Sequence, residues 1–223
     1  MDNDLLWIRE IITTRDNFSE DLDFTLLNDE ITNDQIFQWF EEIFGYIREE
    51  ANIPLVIIDN NEHEDGGINF YISYIGPLGG QGNNKRVKVD ISRSEKLVFA
   101  SVWQNMILNY TDQEEHKIQC YPLEEVLVEK LRSVMQRMQA RDFYDIWYLL
   151  EVHGMDVDFY VNEFKAKCES KGLKASDFQI KLGQRIPQYK GRWQKSMNDQ
   201  IKDLPDFDKV EREVQRHLRK MNL

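Results

Sequence analysis

The chain has 223 residues with 28 Lys+Arg against 40 Asp+Glu, a formal net charge of −12, and 41% hydrophobic residues. That is apolar enough for a folded core and excludes disorder throughout. No run of eighteen apolar residues occurs, which excludes a transmembrane helix and leaves no membrane partner to expect. The first residues, MDNDLLWIREII, carry acids where a signal peptide needs a basic start, so a cytoplasmic protein is expected. Two cysteines, Cys120 and Cys168, rule out a disulfide scaffold and a cysteine-rich zinc site.

Taken in chain order, the first strong element is a helix over 32–50. Thr32 with Gln35 three residues on fits a capping box, and Ile36, Phe37, Phe40, Ile43, Phe44 and Ile47 follow helical spacing. The aromatic residues of 37–46 read better as core than as a base-stacking platform. After Pro54, Leu55–Ile58 is a short apolar strand, and Asp59–Gly67 reads as an acidic turn. Residues 68–75 and 86–91 alternate as strands, with a glycine-rich connector over 76–84. From Pro122 the pattern turns helical. Expected helices are 123–138, 141–152 closed by Gly154, 157–170, 176–182, 191–202 and 206–221. The result is an α+β part over 1–119 followed by a helical part over 120–223.

Charge is uneven. Residues 181–223 hold eleven Lys/Arg and six acids, about +5, so residues 1–180 hold −17. An acidic body disfavours non-specific nucleic-acid binding, because phosphate contacts supply most of that affinity. The basic tail is either a solvated amphipathic helix or a local contact for RNA.

Four groups could carry chemistry. Asp21 and Asp23, on a strand, share one face, and two such carboxylates can hold a divalent cation such as Mg²⁺. A solvated strand edge explains them as well. Asp90, flanked by Lys88 and Ser92 on the face opposite Val87, Val89 and Ile91, is either a solvent-facing acid or a third metal ligand. Lys130 lies among Val126, Leu127 and Val134 on an apolar helix face; it either snorkels to the edge or presents a cation to phosphate. Asp142 and Asp145 sit one turn apart, either as acids favoured by a helix N-terminus or as partners for Lys130 or Arg137. The four histidines lack metal-ligand spacing, and Gly79-Gly80-Gln81-Gly82 is no phosphate loop.

As an ordered set these segments resemble one family. Phe18-Ser19-Glu20-Asp21-Leu22-Asp23-Phe24 resembles its S-x-D-[LI]-D-F segment, and Lys88-Val89-Asp90-Ile91-Ser92 its third-carboxylate strand. The run Leu123 to Arg132 resembles its L-E-E-x-x-A-E-K-L helix, followed by Arg137 and Arg141-Asp142-Phe143-Tyr144-Asp145, then Trp193 and Leu204-Pro205-Asp206-Phe207. The chain is thereby similar to the AbiEii/AbiGii nucleotidyltransferase toxins of toxin–antitoxin and abortive-infection systems. The resemblance implies a nucleotidyltransferase-like mixed sheet with helices and a C-terminal helical region. It implies Mg²⁺ on Asp21, Asp23 and Asp90, a nucleoside triphosphate met by Lys130, Arg137, Asp142 and Asp145, an RNA acceptor such as a tRNA 3′ end, and a cognate antitoxin. The family also carries a Gly-Gly or Gly-Ser turn ten to fifteen residues before D-x-D. Here Leu5–Ile11 contains no glycine, and twenty residues leave little room for a helix and first strand before Asp21. The expectation is a start that is truncated or naturally lacks the turn. The alternative function is a degenerate member that binds a nucleotide or protein without transfer, or a different phosphotransfer enzyme on the same fold.

Overall fold

The computed structural model describes residues 5–8, 21–76, 85–106, 114–198 and 201–223; β1, at Leu5–Ile8, is described by its backbone. The contacts divide the chain into two compact units. One comprises the sheet and its helix; the other comprises residues 96–101 and everything from Tyr121 onward.

In the sheet unit, β2 (Asp21–Leu26), β3 (Leu55–Glu62), β4 (Ile68–Tyr74), β5 (Lys85–Ser92), β6 (Val102–Asn105) and β7 (Lys117–Cys120) join β1 in one mixed sheet. The order is β3-β4-β5-β2-β1-β7-β6. β2 runs parallel to β5, and β1 parallel to β7; the other neighbours are antiparallel. A first strand therefore does precede Asp21, since four apolar residues suffice to pair with β2. The rest of the glycine-free window lies outside the described residues, as does most of the 76–84 connector. β6 and β7 are too short to show a period-2 pattern in the sequence.

Helix α1 (Asn33–Ala51) starts as its sequence dictates. The Gln35 N–H donates to Thr32 Oγ1 at 3.2 Å, and the Thr32 N–H donates to Gln35 Oε1 at 2.8 Å. Its Ile36, Phe40 and Phe44 pack with Leu26, Phe70, Ile72, Val89 and Ile91 into one core. Phe40 and Phe70 meet edge-on at 5.0 Å. The aromatics of 37–46 thus serve as core, apart from exposed Tyr46. The acidic turn is shorter than Asp59–Gly67: β3 continues to Glu62 through a register shift after Ile58, where Asp59 takes a left-handed φ of 53°. Aspartate tolerates that conformation, which lets the strand bulge instead of stopping.

In the helical unit, α2 (Leu123–Gln136) begins one residue after Pro122. α3 (Ala140–Trp147) passes into a π-helical turn over Tyr148–Val152, and Gly154 follows at φ 71°. A 3₁₀ turn at Val157–Tyr160 leads into α4 (Val161–Ser170). The helices expected at 176–182 and 191–202 are a single helix, α5 (Phe178–Met197), which runs through Pro187. Its buried face of Phe178, Leu182, Tyr189, Trp193 and Met197 outweighs the roughly 3 kcal/mol cost of an internal proline. α6 (Phe207–Leu218) is capped by Asp206, whose carboxylate accepts from the Asp208 and Lys209 N–H groups. No helix among the described residues is long and apolar enough to cross a membrane.

Candidate active site

The register of β2 and β5 builds the first cluster. The parallel pairing sets Asp21 beside Lys88 and Asp23 beside Asp90. Paired residues on neighbouring strands point to the same face, so Asp21, Asp23, Lys88 and Asp90 share one. Leu22, Phe24, Val89 and Ile91 belong to the core on the other. Alternation along each strand, together with the β2–β5 register, therefore puts the three acids and one lysine on the face away from the core.

The Lys88 ammonium donates to Asp90 Oδ2, with side chains 31% and 33% exposed. Burial works against the Lys88 charge, but the Asp90 hydrogen bond and the fields of Asp90, Asp21 and Asp23 outweigh it and raise its pKa above the ordinary lysine value. An open cavity of about 580 Å³ adjoins this face, lined by Asp90, Ser92, His63, Glu64 and Asp65 among others. Its rim is a tight turn. The Gly67 N–H donates to Asp65 Oδ1 at 3.2 Å, Ser94 Oγ donates to Asp65 Oδ2 at 2.6 Å, and Gly66 takes φ 79°.

These acids suit a hard divalent cation in kind, being all carboxylate oxygens, and in placement, being on neighbouring strands. Among the described residues, no three His, Cys, Asp or Glu side chains already form a metal-binding group. Asp90 is instead engaged by Lys88. Sequence reasoning placed Lys88 on this face without giving it a role; the two-residue spacing to Asp90 was its signal.

The second cluster lies within the helical unit. Lys130 on α2 reaches Asp145 Oδ2 at 2.6 Å and Asp142 Oδ1 at 3.2 Å on α3. Arg137 grips the same Asp142 with a fork, Nε to Oδ2 at 2.7 Å and Nη2 to Oδ1 at 2.8 Å. Asp142 thus takes both cations. It is buried, which alone would raise its pKa; the Arg137 hydrogen bonds and the Lys130 charge prevail and hold it below the ordinary 3.8. Tyr189 on α5 braces the turn between α2 and α3, its hydroxyl donating to the Val134 and Arg137 carbonyls, both at 3.2 Å. Lys130 does not snorkel: its ammonium is buried against its partners.

A third charged group escaped sequence reasoning. Glu125 and Lys167, both fully buried, pair at 2.6 Å. Glu125 Oε2 also accepts from the Val98 and Phe99 N–H groups, and Lys167 donates to the Lys96 carbonyl. Glu125 lies in the L-E-E segment of the family resemblance, which gave it no role, and nothing in the spacing points to Lys167.

The structure places Asp21, Asp23 and Asp90 on one face of the sheet unit, and gathers Lys130, Arg137, Asp142 and Asp145 in the helical unit. The seven-stranded mixed sheet thus carries D-x-D and a third acid on neighbouring parallel strands. The family model described as nucleotidyl transferase AbiEii toxin, type IV toxin–antitoxin system, matches residues 15–213, so the chain belongs to that family. No curated protein matches it in sequence. Among solved structures it is similar to JHP933 from Helicobacter pylori, at 15% identity and TM-score 0.52, over 99% of this chain and 84% of that one. It is also similar to MenT4, a nucleotidyltransferase toxin from Mycobacterium tuberculosis, at 14% identity and TM-score 0.48, over 96% of this chain and 85% of that one.

Proposed function

We propose that this chain is an active Mg²⁺-dependent nucleotidyltransferase toxin. It transfers a nucleotide from a nucleoside triphosphate to the 3′ end of an RNA, with tRNA as the acceptor, and a separately encoded antitoxin restrains it. The observation that carries this reading is the β2–β5 register, which sets Asp23 beside Asp90 with Asp21 on the same face.

In the reaction, the RNA 3′-hydroxyl oxygen bonds to the α-phosphorus of the triphosphate. The bond from that phosphorus to its bridging oxygen breaks, pyrophosphate leaves, and the hydroxyl proton is released. Mg²⁺, when bound, supplies charge neutralisation for the triphosphate. Asp21, Asp23 and Asp90 supply the oxygen ligands for it, and the rigid sheet beneath them fixes their spacing. A nucleotide-binding role for Lys130, Arg137, Asp142 and Asp145 rests on the family resemblance. Within that group Asp142 orients Lys130 and Arg137 by bonding both. The RNA acceptor is supported by α5, which carries Lys181, Arg185, Lys190, Arg192 and Lys195 and no acid in a chain of net charge −12. Such a helix attracts a phosphate backbone despite the acidic body.

A second reading, nucleotide or partner binding without transfer, is favoured by the lack of glycine over Leu5–Ile11, since small residues let backbone N–H groups approach phosphate. Incubation with Mg²⁺, each labelled nucleoside triphosphate and total tRNA separates the two. Label should appear on RNA with one nucleotide and fall roughly 10³-fold in Asp90→Ala, the loss expected for several kcal/mol of transition-state charge stabilisation. A folded protein that binds nucleotide but labels no RNA would establish the second reading.

A further inference from the structure

The acid face contains its own cation. Lys88 is paired in register with Asp21, neighbours Asp23 and Asp90, and donates directly to the Asp90 carboxylate. Three acids on one face would be costly without it, since like charges on adjacent strands repel. A divalent cation recruited to the same carboxylates meets that lysine first. Two cations cannot share Asp90 without repulsion, and one of them is tethered at high effective concentration.

We propose that Lys88 is a built-in competitor for the divalent cation: its ammonium holds Asp90 until the ion displaces it, so the acids are kept compensated and apart when no metal is bound. This rests on the reading of Asp21, Asp23 and Asp90 as metal ligands. The exchange needs only a side-chain movement, because Lys88 is 31% exposed and Asp90 33% exposed, so water can reach both. Lys88 lies on β5 beside β4, whose Tyr71 is its register partner and carries Arg86 at 4.6 Å from its ring centroid. A displaced ammonium therefore meets a second cation on that side. The device makes metal binding conditional, favouring an ion that arrives with the negative charge of a triphosphate to receive the released lysine.

The test is calorimetric titration of the full chain with Mn²⁺ alone, for wild type, Lys88→Met, Lys88→Arg and Asp90→Asn, each checked for folding by circular dichroism. Lys88→Met keeps the length of the stem and removes the charge. It should bind Mn²⁺ about tenfold tighter than wild type, and its melting temperature should rise more on adding Mn²⁺. Lys88→Arg should bind no tighter than wild type. General damage to the sheet weakens binding, so a gain is not what a merely structural role would give. Unchanged or weaker binding in folded Lys88→Met, with Asp90→Asn abolishing it, would overturn the competition and leave the metal site standing. Should Lys88→Met not fold, Lys88→Gln replaces it under the same expectation. Absence of Mn²⁺ binding in wild type and Lys88→Met alike would overturn both the competition and the metal reading.

Discussion

The two units treat charge in opposite ways. In the helical unit, Glu125 and Lys167 are 0% exposed and matched one to one, and Asp142 is forked by Arg137 while Lys130 lies between Asp142 and Asp145. In the sheet unit, Lys88 and Asp90 are about one-third exposed, and three acids outnumber the lysine placed among them. Matched, buried charge ties α2 to α3 and α4 and fixes the rotamers of the groups involved. Acid in excess on an accessible rigid face is a demand for cations. On the proposed function, the difference separates acids that would take a metal ion from charges already paired within the protein, and it can be broken at either end.

The largest stability effect belongs to the fully buried pair. Glu125→Leu should leave Lys167 charged in a dry interior and also deprive the Val98 and Phe99 N–H groups of their acceptor. A loss of about 3–5 kcal/mol in urea unfolding is expected. Glu125→Leu with Lys167→Met should recover much of that, because no lone charge remains. A single variant as stable as wild type would show that water reaches the pair, and the contrast between the units would fail. Asp90→Ala is the mirror image: its loss is in nucleotide transfer, with little change in the unfolding midpoint.

Asp142→Asn comes next, at about 1–3 kcal/mol, since Arg137 and Lys130 keep their charge but lose an ionised acceptor. Its pH dependence sharpens the point. The folded pKa of Asp142 lies below its ordinary 3.8, so the folded state holds this proton less tightly than the unfolded one. The stabilisation is therefore complete above the ordinary value and is lost as pH falls through the lower folded value. Urea midpoints of wild type and Asp142→Asn should differ most near about pH 7 and converge in strong acid. A gap that widens on acidification would reverse the sign of the shift.

How much of this could be read from the sequence follows from the range of the interactions involved. The capping box at Thr32 and Gln35 is local, so it could be read directly. The common face of Asp21 and Asp23 follows from strand alternation. Their pairing with Asp90 required knowing that β5 lies beside β2 and in which register, a long-range fact that no period encodes; the ordered motifs supplied the grouping instead. Asp145 and Asp142 were paired with Lys130 or Arg137 as alternatives, and the structure uses both cations because the turn between α2 and α3 brings them to one carboxylate. The pairing of Glu125 with Lys167 could not be read, although Glu125 lies in the L-E-E segment, since burial of a charge on an amphipathic helix depends on what covers it. The single helix α5 was read as two, 176–182 and 191–202, because local propensity cannot weigh five buried side chains against the weak stretch that holds Pro187.

The smallest effect tests whether the sheet's acid face is independent of its core face. Thr32→Ala removes the acceptor for the Gln35 N–H and leaves the reciprocal bond from the Thr32 N–H in place. A loss of about 1 kcal/mol is expected, the usual worth of a helix cap. α1 packs on the Phe70, Val89 and Ile91 face of the sheet, opposite the acids, so fraying its first turn should disturb Ile36 before any carboxylate. Mn²⁺ affinity should therefore stay within about twofold of wild type, within the additivity of well-separated sites. A larger loss of affinity would mean that the core sets the spacing of Asp23 and Asp90 through the strands themselves, and that the acid face owes its geometry to α1 as much as to its own register.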